Sequence, residues 1–200
     1  MLHELLKNRY SPRAFSDQKI ENGKLLSLLE AARWAPSSMN EQPWRFLIAE
    51  KDDKNNFEKL LQTLNEGNQI WAKSASILIL TMTKLYFDQS NRQNKHSLYD
   101  LGNAVAQLTF QATAMNLYVR QMGGFDIEKA KTIFAVPENF QPVSVLAVGY
   151  KGSIESLPEP LKIRELSARK RKEISEIAFV GEFGKPLNIE AEEKYFRKVC

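Results

Sequence analysis

The stretch Ala35–Phe46, APSSMNEQPWRF, joins a segment with helical spacing to a segment with strand spacing. Prolines, serines, an asparagine and a glutamine all fall within this one short connection. Turn chemistry accounts for Pro36, Ser37 and Ser38, because proline fixes φ and serine hydroxyls bond to nearby backbone groups. It does not account for the polar groups that continue as far as Trp44. The stretch therefore indicates a stiff loop whose hydrogen-bonding groups serve more than its own turn.

The segments on both sides of this loop predict a protein of mixed secondary structure. Residues 21–34 carry apolar side chains at helical spacing, and Pro36 disfavours helix at Ala35. After the loop, residues 44–50 alternate as a strand does, and residues 76–83 form a near-continuous apolar run of strand length. Further strands are predicted within 117–125 and over 142–150, and further helices near 57–64, 97–116 and 126–134. These elements do not follow the strict β-α-β order of a doubly wound sheet, so the fold class predicted is α+β.

The longest predicted helix, over residues 97–116, is apolar on more than one face. Its main stripe recurs at steps of three and four residues and consists of Leu98, Leu101, Val105, Leu108, Ala112 and Met115. Small alanines, among them Ala104, Ala106 and Ala114, occupy other faces. A helix with this pattern is expected to be buried on more than one side.

Composition narrows the class of protein. The chain has 200 residues, of which 43% are hydrophobic and 26% charged, and this suits a globular domain with a core. Its net charge of +4 is modest for a nucleic-acid binder. The N-terminus lacks the apolar region of a signal peptide, and apolar runs such as residues 77–80 are too short to span a membrane. We therefore expect a cytoplasmic protein that binds neither nucleic acid nor membrane.

Cysteine and histidine are too scarce for a metal centre or a disulfide framework. Cys200 is the single cysteine, and His3 and His96 are the two histidines, with no ligand spacing between them. The sequence also contains neither the glycine pattern of a dinucleotide-binding turn nor that of a P-loop. We therefore expect no bound metal.

Three further features could bind a ligand. Residues 8–15 place Arg9, Ser11 and Arg13 close together, which suits a phosphate, although a solvated basic turn is the alternative. Residues 168–173 contain four consecutive basic residues, a pattern found both on solvated faces and in phosphate sites. The pair of glycines at 123–124 allows close approach of a ligand to backbone, or simply makes a turn.

Taken together, these motifs resemble the nitroreductase family of FMN-dependent oxidoreductases. The resemblance covers residues 2–184, and its most specific part is the Pro-Ser-Ser-x-Asn-x-Gln-Pro-Trp loop. The supporting segments are RYSPRAF at 9–15, LGNAVAQLTFQATAMNL at 101–117, MGGFD at 122–126 and RKRKEISEI at 169–177. The resemblance implies an α+β fold in which a central, mostly antiparallel sheet is flanked by helices, and an intertwined homodimer. Residues 1–184 would form one FMN-binding domain, with residues 185–200 as an extension packing on the domain or on the partner subunit.

The resemblance also implies which residues bind FMN. In the N-terminal segment these are Arg9, Tyr10, Ser11 and Arg13, with Arg9 at the phosphate and Arg13 near the pyrimidine edge of the isoalloxazine. A cation at that edge would stabilise the negative charge of reduced flavin. The other implied contacts are Asn68 with the ring, Gly123 and Gly124 with its face, and Arg169 and Arg171 with the phosphate. Pro36, Ser37, Ser38 and Asn40 would reach the FMN of the partner subunit.

The implied activity is a ping-pong reduction in which NADH or NADPH reduces FMN and a small acceptor then takes the electrons. Nitroaromatics, quinones and activated enones are the acceptors that the resemblance suggests. No catalytic side chain is expected, because the flavin carries the chemistry. The alternatives are a family member that dehalogenates its substrate or fragments flavin, and a flavin-binding module without enzymatic activity.

Overall fold

The computed structural model describes residues 2–90 and 92–187. These residues form two compact units: one spans Glu4–Glu165, and the other combines residues 2–3 with residues 166–187. Much of the predicted C-terminal extension, residues 188–200, lies outside the described residues. Among the helices that are described, none is both long and apolar enough to cross a bilayer.

The larger unit is built on one antiparallel sheet. Its strands, in chain order, are β1 (Trp44–Glu50), β2 (Ile77–Lys84), β3 (Tyr118–Met122) and β4 (Phe140–Gly149). Their spatial order is β1-β2-β4-β3, so β1 and β3 are the two edges. The predicted antiparallel sheet is therefore confirmed. The midpoint of each predicted strand lies within two residues of the midpoint of an observed strand.

Helices surround this sheet, and more of them form than the periodicity predicts. In chain order they are α1 (Glu4–Asn8), α2 (Asn22–Arg33), α3 (Lys54–Leu61), α4 (Glu66–Ala72), α5 (Ser97–Ala114), α6 (Ile127–Ile133) and α7 (Glu159–Leu166). The sequence predicts α2, α3, α5 and α6 but not α1, α4 or α7. These three helices have five to eight residues, too few for an apolar period to be visible.

The alternation of β2 directs its side chains into two separate cores. Leu78 and Leu80 face a cluster that includes residues of α3 and α4, while Ile77 and Ile79 face a cluster that includes residues of α2 and α5. All four side chains are at most 2% exposed. The larger unit therefore has three layers, with the sheet between two layers of helices.

One residue of the predicted stripe on α5 is not buried. Leu98 is 50% exposed, and its neighbour Tyr99 is 73% exposed. At about 100° per residue, Leu98 lies at one edge of the stripe, about as far from its centre as the buried Ser97 lies on the other edge. The rest of the stripe packs against the core as predicted. Because Leu98 and Tyr99 are exposed, α5 also presents apolar side chains to solvent.

Candidate functional site

The N-terminal segment is held beside the end of β4. Phe15 forms an antiparallel bridge with Lys151, and the Gly152 N–H donates to the Ala14 carbonyl at 2.9 Å. A Cβ at position 152 would lie 2.5 Å from the Phe15 carbonyl oxygen. Glycine is needed there because the two backbones pass so closely. This contact fixes where the predicted FMN-binding segment leaves the sheet.

The predicted polar residues of this segment lie together in the structure. The Arg9 Nη1 donates to the Ser11 Oγ at 2.9 Å, and the Tyr10 hydroxyl donates to the Glu165 carbonyl oxygen at 3.1 Å. Arg13 binds the Glu165 carboxylate twice, through its backbone N–H at 2.9 Å and through Nη1 at 3.3 Å. The segment is therefore ordered by side-chain bonds, in contrast to a solvated basic turn.

Arg120 is a member of this site that sequence reasoning missed. Its Nη1 donates to the Ser11 carbonyl at 2.5 Å, and its guanidinium carbon lies 5.3 Å from the centre of the Trp71 ring. Phe15 stacks on the same tryptophan, with ring centres 6.4 Å apart. Arg120 shares a face of β3 with Tyr118 and the buried Met122. A charged residue at an inward position of a strand was the signal that could have identified it.

Burial and charge shift two pKa values in this cluster. Burial raises the pKa of Tyr10 to about 12, and the nearby Glu165 adds to the shift, so the phenol is neutral at physiological pH. Burial lowers the pKa of Arg120 below its ordinary value, and the neighbouring Arg13 acts in the same direction. The site thus combines the guanidinium groups of Arg9, Arg13 and Arg120 with one carboxylate and a neutral phenol.

The glycine pair follows β3 directly and meets the start of α4. The Asn65 N–H donates to the Gly124 carbonyl at 3.0 Å, and the Asn68 Nδ2 donates to the same oxygen at 3.2 Å. A Cβ at Gly124 would lie 2.9 Å from the Asn65 Nδ2, whereas a Cβ at Gly123 would meet no atom within 4 Å. Gly124 is therefore packed against α4, and the exposed Gly123 has open space above it. The structure brings Asn68 and Gly124 together, as the predicted site requires.

The loop before β1 has an unusual backbone. Met39, Asn40 and Gln42 have φ values of 54°, 56° and 51°. Non-glycine residues in this left-handed region are strained and are common at functional sites. Glycine would relieve the strain, yet the sequence retains side chains at all three positions.

Buried and partly buried groups hold this loop in place. The Ser38 N–H donates to the Asp100 Oδ2 at 3.1 Å, and the Gln42 N–H donates to the Ser37 Oγ at 3.0 Å. Asp100 is only 3% exposed and lies in the first turn of α5. Pro36 and Asn40 are exposed, while Ser37 and Ser38 are half-buried. The loop therefore presents side chains outward from a fixed backbone.

The loop and the N-terminal segment lie at opposite ends of the sheet. The loop precedes Trp44, which pairs with Thr83, and the next residue of β2 pairs with Phe140 at the start of β4. The N-terminal segment instead meets Lys151, beyond the end of β4. From Phe140 to Gly149 the strand extends about 30 Å, at about 3.3 Å per residue. Along β4, most of the strand therefore separates the loop from the Lys151 bridge that holds the N-terminal segment.

The remaining predicted residues, Arg169 and Arg171, belong to the smaller unit. Both are exposed, and the Arg171 Nη1 donates to the Lys170 carbonyl at 2.7 Å. The basic run has no regular secondary structure and is followed by a 3-10 turn, Ile174–Glu176. Their role at a phosphate stays a prediction.

The residues of the N-terminal segment and of the turn after β3 suit a planar, anionic ligand. Arg9 and Ser11 supply a charge and a hydroxyl of the kind that binds phosphate, and Arg13 and Asn68 carry N–H donors for a heteroaromatic ring. The open backbone at Gly123 allows close approach of such a ring. Among the residues described, no group of three or more His, Cys, Asp or Glu side chains is arranged to hold a metal.

Comparison with known proteins agrees with this architecture. The family model described as the nitroreductase family matches residues 6–150. A crystal structure titled as an oxidoreductase containing FMN superposes with a TM-score of 0.87 and 32% identity, covering 92% of this chain and 94% of the other. A Mycolicibacterium smegmatis protein, named as a 15.4 kDa protein in the ask 5′ region, is 34% identical over 66% of this chain and 86% of its own.

A third relative has a name that states its reaction. The major NAD(P)H-flavin oxidoreductase of Aliivibrio fischeri is 32% identical over 93 residues, which are 46% of this chain and 42% of that protein. The three-layer α+β fold and the match to the family model define the class of protein. This chain belongs to the nitroreductase family.

Proposed function

We propose that this protein is an FMN-dependent oxidoreductase that uses NAD(P)H to reduce small, electron-poor acceptors. The observation that carries the proposal is the ordered cluster of Arg9, Ser11, Arg13 and Arg120, with the open backbone of Gly123 directly after the strand that carries Arg120. Support also comes from the similar structure titled as containing FMN and from the relative named as an NAD(P)H-flavin oxidoreductase.

Each residue of the cluster has a part in this proposal. Arg9 and Ser11 would bind the phosphate of FMN, together with Arg169 and Arg171, so that residues 1–184 would act as one FMN-binding domain. Arg13 would face the pyrimidine edge, and Asn68 would donate to the ring in addition to holding Gly124. When bound, FMN would accept a hydride from NAD(P)H and pass the two electrons on to the acceptor.

The proposal includes a homodimer, because the loop lies at the other end of the sheet from the bridge that holds the N-terminal segment of its own chain. Ser37, Ser38 and Asn40 would contact the FMN bound to the partner subunit. Exposed apolar side chains support this arrangement: they are Leu26 on α2, Trp34 directly after it, Met39 in the loop, and Leu98 and Tyr99 at the start of α5. Apolar patches of this kind mark interfaces, and in a symmetric dimer the same patch is covered on both subunits.

The first experiment asks whether the protein binds and reduces flavin. The purified protein should be yellow, or become so on reconstitution with FMN, and should bleach when NADH or NADPH is added without oxygen. Bleaching followed by reoxidation on addition of a nitroaromatic, a quinone or an enone would identify the class of acceptor. A colourless protein that cannot be reconstituted would contradict the proposal.

A second prediction concerns the two glycines. Gly123→Ala should lower FMN affinity about tenfold, or ~1.4 kcal/mol, because the added methyl group enters the space proposed for the ring. It should not change the melting temperature, since no atom of the described residues lies within 4 Å of the new Cβ. Affinity is measured by quenching of FMN fluorescence.

Gly23→Ala is the matched control, because its Cβ also meets nothing within 4 Å and it lies in α2. It should leave FMN affinity unchanged. Equal affinity of the Gly123→Ala variant and the unmodified protein would show that the ring does not lie over this turn.

A further inference from the structure

The feature that the proposed function does not use is the carboxylate of Glu165. This side chain is 5% exposed, and it forms an ion pair with Arg13, whose side chain is 17% exposed. One oxygen accepts from the Arg13 backbone N–H at 2.9 Å, and the other accepts from Nη1 at 3.3 Å. A carboxylate is thus built into the segment that would bind an anionic cofactor.

Several contacts fix Glu165 in this position. It lies near the end of α7, and its carbonyl oxygen accepts the hydroxyl of Tyr10. The phenol remains neutral because burial and Glu165 raise its pKa to about 12. Neither Tyr10 nor the backbone bonds neutralise the carboxylate, so its negative charge acts on Arg13.

Charge counting shows what this means for a flavin. Reduction of FMN by two electrons and one proton adds one negative charge to the ring. An unpaired arginine at the pyrimidine edge would stabilise that charge, as the sequence suggests for Arg13. In the structure, Arg13 and Glu165 together carry no net charge, so the positive charge that remains beside them is that of Arg120. Since both side chains are largely buried, solvent and salt screen the carboxylate only weakly.

We infer that Glu165 is a positioning residue that holds Arg13 and cancels its charge, and thereby lowers the reduction potential of bound FMN. The inference rests on the proposed function, because it places Arg13 at the flavin. A lower potential makes the reduced protein a stronger reductant toward its acceptor. Arg13 would therefore supply hydrogen bonds and shape more than net positive charge.

The test compares the reduction potential of bound FMN in three variants. Glu165→Gln leaves the Arg13 charge unpaired, Arg13→Gln leaves the carboxylate unpaired, and the double variant restores a neutral pair. Spectroelectrochemical titration gives each potential, and FMN titration gives each affinity. A change that is only structural would weaken the binding of oxidised and reduced FMN alike and would leave the potential unmoved.

We expect Glu165→Gln to favour reduced over oxidised FMN about tenfold, a rise of about 30 mV for a two-electron couple. Arg13→Gln should change the ratio about tenfold in the opposite direction. The double variant should return to within about twofold of the unmodified protein. A potential that is unchanged or lower in Glu165→Gln would overturn the inference.

The double variant keeps the test decisive where a single variant fails to fold. Replacing both members of a buried ion pair by neutral groups is tolerated far better than replacing one. If Arg13 acts as an unpaired cation, the double variant must have a lower potential than the unmodified protein, and this result overturns the inference. Failure of the unmodified protein to bind FMN would instead overturn the proposed function, and the inference with it.

Discussion

Replacing Arg9 and Arg171 together by alanine is expected to lower FMN affinity at least about a hundredfold. Hydrogen bonds between guanidinium and phosphate are charge-assisted, and each contributes about 1.5–3 kcal/mol, so the loss of two amounts to ~3–6 kcal/mol. The protein should lose its flavin during gel filtration. Fluorescence titration with FMN, and with riboflavin as a ligand without phosphate, measures the effect.

The control removes the same number of positive charges from neighbouring positions. Lys170→Ala with Lys172→Ala changes the net charge equally, and both lysines are exposed. This variant should retain FMN with affinity within about threefold of the unmodified protein, since only long-range attraction is lost. The riboflavin affinity should be similar in all three proteins. Unchanged FMN occupancy in the arginine variant would mean that the phosphate lies elsewhere.

The elements of the fold that could be predicted are those with a long run of regular apolar spacing in the sequence. The apolar patterns of β2 and α5 predict their burial, and Pro36 lies three residues after Arg33, where α2 ends. The strand order was not predictable from local pattern, because it depends on which apolar faces meet. Leu98 shows the same limit: its spacing fits the stripe, yet it is exposed while Ser97 and Asp100 in the same turn are buried.

The residues of the candidate site that belong to a motif could be predicted. Those that are identified only by their tertiary contacts could not. Arg9, Ser11, Asn68 and Gly124 were identified from segments that resemble a family. Arg120, Glu165 and Asp100 are isolated charged residues, and their importance depends on which backbone or side chain they meet across the fold. A single sequence does not reveal such partners. The Arg13–Glu165 ion pair is such a contact, and from it we infer that Arg13 adds little net positive charge to the candidate site.

The strained loop is the feature that connects the sequence to the proposed dimer. Each residue held at positive φ costs about 1–3 kcal/mol, and Met39, Asn40 and Gln42 all have such values. Bonds to Asp100 and Ser37 offset part of this cost. A loop that served only to connect α2 with β1 would not need this conformation. Strain held by a buried carboxylate suits a loop that presents Ser38 and Asn40 to a ligand outside its own chain.

Complementation between two defective chains should restore one FMN site per dimer. The first chain carries Arg9→Ala and Arg171→Ala, and the second carries Ser38→Ala and Asn40→Gly. The loop variant keeps its backbone, because the Ser38 N–H still reaches Asp100 and glycine accepts the φ of 56° at position 40. Its homodimer should lose about 1–3 kcal/mol of FMN binding, at up to 1.5 kcal/mol per hydrogen bond.

In the mixed dimer, one site receives both defects and the other receives neither. With a different affinity tag on each chain, the purified heterodimer should bind one FMN with the affinity of the unmodified protein.

A heterodimer of the unmodified chain with a chain carrying all four substitutions is the reciprocal control. It should have no intact site if the loop acts across subunits, since each site then has a defect. If the loop acted within its own chain, the two results would be exchanged: the first heterodimer would bind no FMN tightly and the second would bind one. The pair of measurements therefore distinguishes a shared site from two independent ones, whatever the absolute affinity for FMN.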